Sequence, residues 1–166
     1  MDGAALLAEL PRLRRYARAL VGERAAADDL VQDTLERAWT RAAQWRPENP
    51  LRPWLFGIMH NLRIDQLRRP GLHTRPLEDE DFELPVRATQ SDALEVGDLD
   101  AALARLPEEQ RAVLLLVALE GMRYEDIAAT LGVPLGTVMS RLSRGRERLR
   151  AIMGEAPAAN RLRVVR

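Results

Sequence analysis

Apolar residues recur three and four apart through most of the chain, a helical period rather than an alternating one. Leu6, Leu10, Leu13, Ala17 and Leu20 mark one stripe and predict a helix over residues 4–20. Pro11 interrupts that stripe, so the helix either kinks there or truly starts there after a loose N-terminal turn. A second, longer helix is expected over 25–45, with Leu30, Leu35, Ala38 and Trp39 as its buried positions. Asp29, Gln32, Asp33 and Glu36 lie three or four apart and share its polar face. The prolines and asparagine of RPENPLRP, 46–53, predict an extended loop. A helix resumes over 54–69, with Leu55, Ile58 and Leu62 inward.

The period then lapses over 70–91, which opens on Pro70-Gly71 and reads as a tether. It returns over 92–105, a helix that carries Leu94, Leu99 and Leu103, with Leu106 just beyond. Pro107 to Gly121 predicts the next helix. Its run from Val113 to Leu119 is apolar nearly all round, as the centre of a second core should be. The tail 154–166 shows no such stripe and is expected to fray. These elements predict an all-α fold of two small helical domains, 1–69 and 92–153, joined by the linker 70–91.

Residues 124–149, YEDIAATLGVPLGTVMSRLSRGRERL, form two short helical patterns meeting at a tight turn. Gly132 offers the left-handed backbone that ends a helix, and Pro134 suits the first position of another. At about 100° per residue, Val138, Leu142, Gly145 and Leu149 fall on one side. Thr137, Ser140, Arg141, Arg144 and Arg148 fall together on another. Most such hairpins simply expose a solvated face. Here a glycine turn precedes hydroxyls and then arginines, which suits base edges and phosphates in a DNA major groove.

Composition narrows the chemistry. The 166 residues contain no cysteine, so neither a disulfide framework nor a thiolate metal site is expected. No apolar run reaches membrane-spanning length, and a cytoplasmic protein is the expectation. Net charge is zero but unevenly spread. Residues 1–69 carry net +3, 70–100 net −7 and 101–166 net +4. Glu78, Asp79, Glu80, Asp81 and Glu83 make the linker an acidic strip that would compete with phosphates for arginines. His60 and Asp65 are i and i+5, which share no helix face, and no second ligand completes a metal or catalytic site. No cofactor is called for.

The order of a helical domain, an acidic linker and a helix-turn-helix domain resembles the extracytoplasmic-function (ECF) sigma factors of bacterial RNA polymerase. DDLVQDTLERAW resembles that family's polymerase-clamp helix, and LRPWLFGIMHNLRIDQLRR its promoter-melting segment. LPEEQRAVLLLVALEGMRYEDIAATLGVPLGTVMSRLSRGRERLR resembles its fourth domain. The resemblance covers roughly Leu6 to Arg150, and two separate motifs agree in order and spacing.

It implies that Asp29, Gln32 and Asp33 dock on core RNA polymerase. It implies that Trp54, Asn61, Asp65 and Arg68 serve the minus-ten element. Thr137, Ser140, Arg141, Arg144 and Arg148 would contact the minus-thirty-five element. An anti-sigma factor would be a further partner, and the chain itself would be no enzyme. Two positions depart from the family pattern. Arg123 stands where a serine or threonine cap is frequent, and Met139 where a basic residue is frequent. The alternative is an ordinary helix-turn-helix regulator, for which the first half would need a ligand pocket.

Overall fold

The computed structural model describes the backbone of residues 1–69 and 92–164, and the side chains of 1–69 and 97–154. The acidic strip of the linker lies outside the described residues. The chain begins with α1 (Gly3–Ala8) and α2 (Leu10–Val21). The Asp2 carboxylate accepts from the Ala4 N–H at 3.1 Å and starts α1. Pro11 lies in the first turn of α2, where a missing N–H costs no intrahelical bond. The interruption is therefore a second helix start and not a kink. Gly22, at φ 83°, ends α2.

In α3 (Arg24–Thr40), the Glu23 carboxylate accepts from Ala25 and Ala26 N–H groups at 3.0 and 2.9 Å. The helix stops at Thr40, and a 3₁₀ turn, Ala42–Gln44, replaces its expected last turn. Its buried stripe is Ala27, Leu30, Val31, Thr34 and Ala38. Trp39 was expected to bury with these; it is 59% exposed, because it lies one residue and about 100° beyond Ala38. The next helix, α4 (Leu51–Arg68), starts ahead of the expected position, since Pro53 is tolerated in a first turn. Leu55, Ile58 and Leu62 are buried as the period requires.

The second half contains α5 (Asp92–Ala104), α6 (Glu108–Ala118), α7 (Tyr124–Leu131) and α8 (Leu135–Val164). Leu103 and Leu106 are buried, while Leu99 is 38% exposed. Gly132 takes the left-handed φ of 67° that turns α7 into α8. Pro134 stands one place before the helix and not at its first residue; its carbonyl accepts from the N–H groups of Thr137 and Val138. Instead of giving way to a frayed tail at residue 154, the α8 backbone stays helical to Val164.

The two halves share one continuous hydrophobic core. Within the first, α3 packs on α2 and α4; within the second, α8 packs on α5, α6 and α7. Across the boundary, α2 meets α5 and α6, and α4 meets α7. Gly57 lies at that last contact: a Cβ there would lie 3.4 Å from the Thr130 carbonyl oxygen, about van der Waals distance.

Arg111 ties the boundary together. Its guanidinium donates to the carbonyls of Leu103, Ala104 and Leu106 at 2.7, 3.0 and 2.7 Å. It also donates to the Leu20 carbonyl at 2.7 Å. These oxygens end α5 and α2, where carbonyls have no intrahelical partner and a cation is favoured. One buried side chain thus caps a helix from each half. Glu120, with its carboxylate fully buried, receives Arg12 and Arg15 of α2 at 3.3 and 3.4 Å.

Candidate nucleic-acid interface

The start of α8 presents two edges. Val138 and Leu142 are buried against the body of the second half, and Gly145 fits closely over Gln110 of α6. Opposite them, Gly136, Met139, Ser140, Ser143 and Arg144 are exposed. Thr137, Arg141 and Arg148 are only partly exposed, on the edge nearer the protein. The five residues expected to read DNA are therefore split between an open edge and a shielded one. Arg141 lies 3.6 Å from Glu109 of α6, with its side chain 23% exposed. The Ser140 hydroxyl donates to the Thr137 carbonyl at 3.1 Å, which leaves its oxygen able to accept. Met139 and Ser143 were not in the expected set. The signal that finds them is the buried stripe itself, whose opposite side is centred on Ser140.

Arg123 precedes α7 without a side-chain cap, as the sequence anticipates. Glu125 and Asp126 occupy the first turn, where negative charge suits the helix dipole.

On α4, Asn61, Asp65 and Arg68 are exposed and Trp54 is half-buried against the core. Spacings of seven, four and three residues place all four on one side of the helix. His60 turns elsewhere, toward the second half. Burial, and then the nearby Arg141, holds its pKa below the ordinary histidine value; Glu108 and Glu109 oppose this. On α3, Asp29, Gln32, Asp33 and Glu36 form one exposed stripe, and Trp39 extends it toward the end of the helix.

A cleft of about 810 Å³ opens between α2, α5, α6 and α8. Leu10, Leu99, Leu103, Leu114 and Leu119 line its floor, and Arg14 and Arg18 stand on its rim. Among the described residues, no group of three or more histidines and carboxylates is close enough to hold a metal ion. No described helix is long and apolar enough to cross a membrane.

Residues 6–60 match the family model described as the Sigma2 domain of PhyR, and residues 97–149 that of Sigma-70, region 4. The chain is 40% identical over 153 residues to the ECF RNA polymerase sigma factor EcfG of Rhodopseudomonas palustris, spanning 89% of this chain and 82% of that protein. Its structure resembles the sigma factor RpoE of Bartonella quintana, solved in complex with the anti-sigma factor NepR. That match has a TM-score of 0.74 and 35% identity, covering 92% of this chain and 96% of RpoE. It also resembles CnrH, solved in complex with the cytosolic domain of CnrY, with a TM-score of 0.68 and 28% identity over 91% and 86% of the two chains. With both helical domains matched in order, and a relative of this identity matched over most of its length, the chain belongs to the ECF RNA polymerase sigma factors.

Proposed function

We infer that this sigma factor docks on core RNA polymerase through α3, captures the minus-ten element through α4 and reads the minus-thirty-five element through α8. The observation that carries this reading is the open edge of α8. A helix held by buried Val138 and Leu142 turns Ser140 and Arg144 outward behind a glycine turn. Asp29, Gln32 and Asp33 supply an acidic docking stripe for a basic partner surface. Trp54, Asn61, Asp65 and Arg68 offer an aromatic edge and polar groups to unpaired bases and their backbone. Domain boundaries at residues 69 and 92 follow from this division. The polymerase performs the bond chemistry; this chain supplies specificity and works in the cytoplasm.

An anti-sigma factor fits the same scheme. The cleft has an apolar floor with arginines at its rim, which suits an amphipathic helix with an acidic face.

The test is run-off transcription with core polymerase on a library of randomised promoters. Promoter-specific transcripts that depend on this chain are expected. Specific DNA binding without core-polymerase binding would instead favour an ordinary helix-turn-helix regulator.

A further inference from the structure

Met139 is 52% exposed and Leu135 is 40% exposed, although both belong to the helix whose Val138, Leu142 and Ile152 pack into the core. They are i and i+4, so they lie one above the other on one edge of α8. Arg146, also exposed, continues that edge two turns further on. Gly136 beside them leaves open space where a side chain would stand, so the backbone there can approach a ligand closely. The edge is therefore a small apolar ridge beside Ser140, with arginines placed to meet flanking phosphates.

The major groove offers such a ridge one apolar feature, the C5-methyl group of thymine. A methionine suits that contact, because its unbranched side chain adjusts to a methyl whose exact height varies with the docking angle. Resting on the reading of α8 as the minus-thirty-five helix, we propose that Met139, backed by Leu135, is a specificity-determining residue that recognises thymine through its methyl group. Arg141 faces Glu109 on the shielded edge, so discrimination at this base falls to the apolar ridge. Ser140, whose hydroxyl proton is engaged by Thr137, reads an adjacent base as an acceptor, from an exocyclic amine.

The test uses holoenzyme, the full chain with core polymerase, on an upstream element selected from randomised duplexes. Each thymine is replaced in turn by deoxyuridine, which removes the methyl and leaves every hydrogen-bonding group. Burial of one methyl corresponds to about a fourfold change in affinity. The wild-type chain is expected to lose about that factor at one or two thymines and to tolerate replacement elsewhere. Met139→Ala should bind the parent duplex more weakly and lose the penalty at those same positions. Met139→Leu, which keeps an apolar tip, should retain part of it. Since Met139 is exposed, a native circular dichroism spectrum is expected for both variants. Sequence-specific binding that tolerates deoxyuridine at every position overturns the Met139 assignment alone. So does a penalty that survives unchanged in Met139→Ala. Absence of any sequence-specific binding overturns the assignment together with the reading it rests on.

Discussion

Arg63 of α4 donates through its Nε to the Glu108 carboxylate of α6 at 2.7 Å, and the other oxygen of that carboxylate accepts from Arg111 at 2.9 Å. One anion thus stands between two cations that repel each other across the boundary of the two halves. Glu108→Gln removes that charge and should lower stability by about 1–3 kcal/mol. Arg111→Met is more severe, because it also takes the guanidinium donor from four carbonyls, of which Leu103 keeps the Leu106 N–H; about 3–5 kcal/mol is expected. Urea denaturation of the full chain measures both. Midpoints unchanged from wild type would mean that these ion pairs add nothing to the packing of the two halves.

His60 gives the stability of the folded chain a pH dependence. Its folded pKa lies below the ordinary value, so between the two values the unfolded chain binds more protons. Stability should therefore rise with pH through that window. On acidification, loss begins near the ordinary histidine value of about 6.5 and levels off once His60 is protonated in the folded chain as well. Thermal unfolding followed between pH 7 and 5 should show a slope that His60→Gln flattens. Equal slopes in the two proteins would assign the dependence to other groups.

Much of this was legible in the sequence, and the part that was not has a common cause. Helical period found the stripes of Leu13–Leu20, Leu55–Leu62 and Val138–Leu142, because each repeats its burial every turn. It placed Asp29, Gln32 and Asp33 together, and likewise Trp54 with Asn61, Asp65 and Arg68. It does not decide how wide a buried stripe is, and so Trp39, expected inward, stands at its margin. Arg111 gave no signal at all. An arginine that follows Glu108, Glu109 and Gln110 looks like a surface position until the carbonyls of Leu20 and Leu103 are brought to it by tertiary packing. The division of α8 into an open and a shielded edge has the same origin, because Glu109 comes from another helix.

Docking and melting separate by construction. Gln32→Ala combined with Asp33→Ala alters only exposed positions of α3, so native circular dichroism is expected alongside weakened binding to core polymerase. Asn61→Ala should impair transcription more on duplex promoters than on templates already opened as bubbles. A pull-down titration with wild-type affinity would remove α3 from the docking surface. Equal losses on duplex and bubble would move Asn61 from melting to docking or folding.

Arg141 is the test of whether its contact with Glu109 restrains DNA reading. Its guanidinium lies 3.6 Å from Glu109, so that pair must open before Arg141 reaches a phosphate or base. Glu109 is 71% exposed in its side chain, and an ion pair this open to water holds only about 0.2–1 kcal/mol. Glu109→Gln should therefore raise the affinity of the free chain for an upstream-element duplex, by no more than about fivefold. The gain should shrink as salt rises, because screening weakens the pair being removed. Arg144 is exposed on the open edge and should be insensitive to the change at Glu109. Arg144→Ala should weaken binding about evenly across sequences, as loss of a phosphate contact does. Arg141→Ala should abolish the gain that Glu109→Gln brings, since the two act on one pair. If Glu109→Gln still tightens binding in the Arg141→Ala background, the effect is a general loss of negative charge and Arg141 is not restrained by that contact.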